Sequence, residues 1–205
     1  MFSTFSRPLT LATLTGLAAV GALALWMSGA QATQATETYL ATPPALATDK
    51  LYQTNRVSAA VPGNISDVRA FIDANPITDF VATTEAIPSI EGITVLSGTW
   101  PEVGAVRRVD LEGGHYVLER VLVNKADNFV YQIWNITAPA GRFIDHIKGE
   151  FRYIQEGDTT QITWDYNIKP AAFFARPFIR RYLDRDFAPF MQAGMTGLAE
   201  AYQTQ

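Results

Sequence analysis

Two charged residues stand in apolar surroundings near the middle of the chain. Arg107 alternates with Ala105, Val109 and Leu111, and Glu119 alternates with Val117, Val121 and Val123. Side chains two apart on a β-strand share a face, so both charges point to the side that their apolar neighbours cover. A charge there is costly unless it is paired. On neighbouring strands Arg107 and Glu119 can form an ion pair with each other, or offer polar contacts to the head group of a ligand; both readings stay open. Trp164 and Tyr166 on a later strand, Phe151 and Tyr153 on the strand before it, and Tyr131 earlier still add aromatic surface to the same side. Such rings combine a large apolar area with a polar tip, which suits an amphipathic ligand and equally suits a packed core. Phe187, Phe190 and Gly194 face this sheet from a C-terminal helix, and Gly194 leaves room there. If the domain catalyses a reaction, the available chemistry is general acid–base work by Glu119, Tyr131 or Tyr166.

Other chemistries are poorly provided for. The chain has no cysteine, which removes disulfides, thiol nucleophiles and thiolate zinc sites together. Its two histidines, His115 and His146, are too few for a histidine-rich metal centre, and no nucleophile elbow or phosphate-binding loop is present. His115 follows two glycines and is expected in solvent. Asp145 precedes His146, but strand neighbours point to opposite faces, so adjacency alone predicts no Asp–His dyad. No catalytic residue, metal or cofactor is assigned. A formal net charge of −4 gives no electrostatic footprint for nucleic acid.

The elements that position these residues follow from pattern. Asn55–Val61 reads as a strand closed by Pro62-Gly63-Asn64. Ser66 and Asp67 offer caps to a short amphipathic helix with Val68, Phe71 and Ile72 on one side, ended by Pro76; a second short helical piece runs through Phe80 and Val81. Six strands follow: Ile93–Leu96, Ala105–Leu111, Tyr116–Asn124, Phe129–Ile136, His146–Gln155 and Thr160–Ile168. The turns between them include Gly113-Gly114, Lys125–Asn128, Pro139–Gly141 and Glu156–Asp158, short enough to favour antiparallel hairpins. In the last strand Ile162, Trp164, Tyr166 and Ile168 share one face, while Gln161, Thr163, Asp165 and Asn167 share the other, so one face is expected to be covered and the other wet. The cover is a helix after Pro170 that runs to about Tyr202, with Phe187, Phe190, Met191, Gly194, Met195 and Leu198 at helical spacing. Pro189 inside it predicts a kink or a break into two helices.

This order of elements, with Val57-Ser58-Ala59-Ala60-Val61, Gly104-Ala105-Val106-Arg107-Arg108-Val109, Leu118-Glu119-Arg120, Phe129-Val130-Tyr131 and Thr163-Trp164-Asp165-Tyr166, resembles the START-like (Bet v 1-like, SRPBCC) superfamily of polyketide cyclase/dehydrase and lipid-transport type. The likeness spans Asn55 to about Tyr202. It implies an α+β helix-grip fold: a curved antiparallel sheet of about seven strands wrapped around a long C-terminal helix, with two short helices after the first strand. It further implies a cavity between sheet and helix that holds a lipid, sterol, polyketide, hormone or quinone. Glu119 matches a position that lines the pocket in plant abscisic-acid receptors. The resemblance leaves three functions: a carrier of a hydrophobic or lipid-like small molecule, a cyclase acting on a polyketide-like substrate, and an accessory protein with a collapsed cavity.

The first 32 residues have the charged, apolar and small-residue thirds of a secretory signal: Arg7, then Leu9–Met27, then Ser28-Gly29-Ala30-Gln31-Ala32. A run of this length also suits a retained membrane anchor. Either reading puts the domain outside the cytoplasm, periplasmic or membrane-anchored, with the membrane as a partner if the segment is uncleaved. Thr33–Lys50, rich in Ala, Thr and Pro, reads as a linker, and residues 51–205 as the ligand-binding domain. Phe173-Phe174-Ala175-Arg176-Pro177-Phe178-Ile179-Arg180-Arg181 mixes aromatics with basic residues. It suits a membrane surface, or simply the solvated first turns of the helix.

Overall fold

The computed structural model describes residues 43–75, 77–80 and 87–204. The segment read as signal or anchor lies outside the described residues, as do most of the linker, Pro76 and Val81. Among the described residues no helix is long and apolar enough to cross a membrane.

Seven strands form one antiparallel sheet: β1 (Gln53–Pro62), β2 (Ile90–Ser97), β3 (Val106–Leu111), β4 (His115–Lys125), β5 (Asn128–Trp134), β6 (Ile144–Glu156) and β7 (Thr159–Pro170). Their order is β1-β7-β6-β5-β4-β3-β2. The connections make β2 to β7 a meander, because each is shorter than the dozen or so residues that a crossover to a parallel strand needs. β1 then closes the other edge against β7, from Gln53 opposite Ile168 to Pro62 opposite Thr159.

After β1, Asn64 caps helix α1 (Ile65–Ala74): its Oδ1 accepts from the Asp67 N–H at 3.0 Å. The cap thus falls before Ser66 and Asp67, which occupy the first turn, where an acidic side chain meets the positive end of the helix dipole. Val68 is buried, and Phe71 packs edge-on against Tyr202 with centroids 5.3 Å apart. The second helical piece is a 3-10 turn, Ile77–Phe80, rather than an α-helix.

From Phe173 to Gln203 the chain is helical without a break: a 3-10 turn, α2 (Arg176–Tyr182), a π-turn (Leu183–Phe187) and α3 (Ala188–Gln203). The π-turn is how the chain accommodates Pro189. A proline ring crowds the carbonyl four residues back, and widening the turn to an i→i−5 bond, Ala188 N–H to Leu183 O, relieves this without a break. Ala175, Ile179, Leu183, Phe187, Met191 and Met195, each four residues after the last, are all buried and form the stripe that docks on the sheet. Fully burying side chains such as Leu183, Met191 and Met195 contributes about 1.5–3 kcal/mol apiece before entropy is counted. They meet Val57, Phe151, Ile162, Trp164, Tyr166 and Ile168 on the inner face of the sheet.

The outer face is not uniformly wet, contrary to the alternation argument. Leu118, Gln132, Trp134 and His146 are fully buried there, and Tyr52 nearly so. Chain from Pro43 onward is tied to this face: Gln132 Nε2 donates to Pro44 O at 3.0 Å, and Ala47 N–H donates to the Tyr52 hydroxyl at 3.1 Å. Asp165, expected in solvent, is 4% exposed because Arg56 and Arg152 close over it. Burial alone would raise its carboxyl, but the two guanidinium groups override that and hold it below the usual range.

Candidate functional site

One row of the inner face crosses the whole sheet. Register aligns Val95, Arg107, Glu119, Ile133, Ile147, Ile168 and Gln53 as successive cross-strand partners. Arg107 and Glu119 are therefore directly opposite each other, and Arg107 Nε donates to Glu119 Oε2 at 2.6 Å. Their side chains are 22% and 8% exposed. The Arg107 guanidinium carbon lies 3.7 Å from the centre of the Trp100 ring, so one planar face is covered by an aromatic. Burial pushes the Glu119 carboxyl above the ordinary carboxylate range, and Arg107 opposes that shift without cancelling it. Of the two readings left open by sequence, the ion pair is formed.

Deeper in, the aromatics interlock. Phe151 stacks on Trp164 with centroids 5.0 Å apart, and on Tyr153 at 6.5 Å. Trp164 meets Tyr166 edge-on, Tyr166 lies 4.3 Å from Phe187, and Phe187 contacts Phe190 at 5.5 Å. Trp164 Nε1 donates to the Tyr131 hydroxyl at 3.1 Å. Tyr131 lies across Gly149, where any Cβ would collide with its ring; glycine is needed there for close approach. Gly194 is buried on α3 beside Met191 and Met195. Phe190 is half-buried at the margin. Burial holds the hydroxyls of Tyr131, Tyr153 and Tyr166 above the ordinary tyrosine range. At neutral pH these hydroxyls stay protonated and act through hydrogen bonds, not as bases.

Three polar contributors escaped sequence reasoning. Trp100 lies in an aperiodic loop, and nothing local points to its stacking on Arg107. Asn55 Nδ2 reaches Met191 Sδ at 3.2 Å from the apolar face of β1. Arg69 is 9% exposed, donates to Lys125 O and Asn124 Oδ1, and covers the Tyr153 ring at 5.1 Å. Its position three residues before Ile72 on the apolar side of α1 was a usable sign.

Asp145 and His146 require a correction, because they do meet: His146 Nδ1 and Asp145 Oδ2 are 2.9 Å apart. A bulge between Ile144 and His146 breaks the alternation that should have separated them. His146 Nε2 also contacts the Tyr52 hydroxyl at 2.9 Å. This chain lies on the outer face, away from the Arg107–Glu119 pair. Burial lowers the His146 pKa despite Asp145.

The sequence model of the family described as polyketide cyclase/dehydrase and lipid transport matches residues 56–203. The chain belongs to that family. Its members bind small hydrophobic molecules or carry out polyketide-cyclase-like chemistry. No curated protein matches the chain in sequence. Among solved structures, the chain is similar to norcoclaurine synthase of Thalictrum flavum, with a TM-score of 0.56 at 11% identity over 78% of this chain and 98% of that one. It is similar to the Zhui aromatase/cyclase of a Streptomyces species, at TM-score 0.52 and 16% identity over 74% and 94%. It is also similar to Ara h 8.0201, at TM-score 0.52 and 14% identity over 75% and 99%. At such identities the likeness establishes the helix-grip fold.

Proposed function

We propose that the domain binds a small amphipathic, lipid-like molecule between the inner face of the sheet and the C-terminal helix, outside the cytoplasm. The observation that carries this reading is the Arg107–Glu119 pair: a charged cross-strand pair kept on the inner face, beside Ile133, Ile147 and Ile168 in the same cross-strand row. A domain needing only a core would gain by replacing it with apolar residues, since buried pairs seldom add net stability. Arg107 Nε is spent on Glu119, which leaves the terminal amino groups of the fork for an oxygen-bearing head group. Tyr131, Phe151, Tyr153, Trp164, Tyr166, Phe187, Phe190 and Gly194 would surround the apolar body. The N-terminal segment would act as export signal or anchor.

Native mass spectrometry of the purified protein tests this. A co-purifying lipid, lost in Arg107→Met, supports a carrier; ligand-free protein with no thermal shift across fatty acids, sterols and quinones sinks it. The raised Glu119 pKa favours one second reading, a cyclase in which the Glu119 carboxyl moves a proton. There, Glu119→Gln abolishes turnover of a polyketide-like substrate while binding survives. Sequencing the mature N-terminus separates the export readings: Thr33 in first position means cleavage.

A further inference from the structure

The segment between β7 and α2 exposes apolar surface that the fold does not use. Phe173 is 86% exposed, Phe174 61% and Phe178 59%. The docking stripe of the helix passes through Ala175, Ile179 and Leu183, and these three rings fall off it. Phe178 stacks on Phe143 with centroids 5.6 Å apart, and the Arg142 guanidinium lies 4.7 Å over Phe143, so the surface continues onto the β5–β6 connection. Single exposed apolar residues are ordinary, but a contiguous group rimmed by charge marks an interaction surface.

Its charge indicates the partner. From Ala171 to Tyr182 there are three arginines and no acidic residue, in a chain whose formal net charge is −4. Arg180 is neutralised by Asp184, with contacts of 2.9 and 2.5 Å. Arg176 and Arg181 are exposed, and Arg176 donates to the Lys50 main-chain O at 3.4 Å. Aromatic rings at headgroup depth with arginines on lipid phosphates are the chemistry of an anionic bilayer surface.

We infer that the patch around Phe173, Phe174 and Phe178, with Arg142, Arg176 and Arg181, docks on an anionic lipid bilayer. The inference does not rest on ligand binding, because its test reads the patch and not the interior.

The absence of cysteine makes the test direct. The full chain carrying Ala171→Cys, labelled with a polarity-sensitive dye, is titrated with preformed nanodiscs of phosphatidylcholine alone or mixed with phosphatidylglycerol. Asp158→Cys, exposed in the turn at the opposite end of β7, is the control. The emission at position 171 should shift to the blue with phosphatidylglycerol and relax in high salt. Adding Arg176→Gln and Arg181→Gln should weaken docking by roughly tenfold or more, and Phe173→Ser with Phe174→Ser should abolish the shift. Three results overturn the inference: water-like emission at 171 in both lipids, equal shifts at 171 and 158, or a lipid-free shift that grows with protein concentration, which would assign the patch to a second copy of the chain.

Discussion

Replacing Arg107 with methionine removes the partner of Glu119 while keeping a long side chain against Trp100. Glu119 is 8% exposed, and Arg107 Nε is its hydrogen-bond donor at 2.6 Å. Losing one member of a buried pair costs about 3–5 kcal/mol when the remaining charge has no escape. Glu119 has one: it can take up a proton. Holding a carboxyl protonated at pH 7 costs about 1.4 kcal/mol for each unit above the ordinary glutamate value of about 4.3, a ceiling of about 3.7 kcal/mol. The wild-type carboxyl is already raised by burial, so the loss on substitution lies below that ceiling. At pH 5 the ceiling falls to about 1 kcal/mol, and the deficit should shrink with it. Urea unfolding at both pH values, followed by tryptophan fluorescence and compared at constant m, measures this. Arg107→Met/Glu119→Met, which leaves no charge, should recover most of the loss. A deficit equal at pH 7 and pH 5 would refute the reasoning and assign the effect to packing on Trp100. Undiminished stability would mean the pair is solvated.

Three further outcomes follow from the geometry. Gly149→Ala should push Tyr131 off the sheet, break its bond to Trp164 and cost about 1–3 kcal/mol in thermal unfolding, partly restored by adding Tyr131→Ala; a silent Gly149→Ala would refute the close approach. His146 is buried and its pKa is lowered, with Asp145 opposing the shift and Lys169 and Arg120 adding to it, while the Tyr52 hydroxyl sits on Nε2. A depressed folded pKa contributes stability that is present above the unfolded value of about 6.5 and is lost as pH falls below it, so His146→Gln should flatten unfolding curves between pH 7 and pH 5. Asp165 is depressed by Arg56 and Arg152, so its contribution is present above about pH 4 and lost in acid. Asp165→Asn should remove that acid step and cost about 1–2 kcal/mol at pH 7, discounted for the exposure of both arginines.

Much of the molecule was legible in sequence because it is built on short periods. The seven strands, their hairpins and the inner placement of Trp164, Tyr166, Phe151, Tyr153, Arg107 and Glu119 all follow from a period of two and from turn residues. The helical stripe through Met191, Met195 and Leu198 follows from a period near four. What the tertiary structure alone decided lies where one residue breaks a period or where a partner is distant in the chain. A bulge at Asp145 turns it toward His146, and a π-turn lets the helix pass Pro189 unbroken. Trp100 covers Arg107 from a loop, and chain near Pro43 reaches the outer face of β5. The inward placement of Arg107 and Glu119 on neighbouring strands is legible because one hairpin joins them, while the choice of an ion pair over ligand contacts was left open by sequence; the arginines closing on Asp165 come from β1 and β6, and no local pattern encodes that meeting.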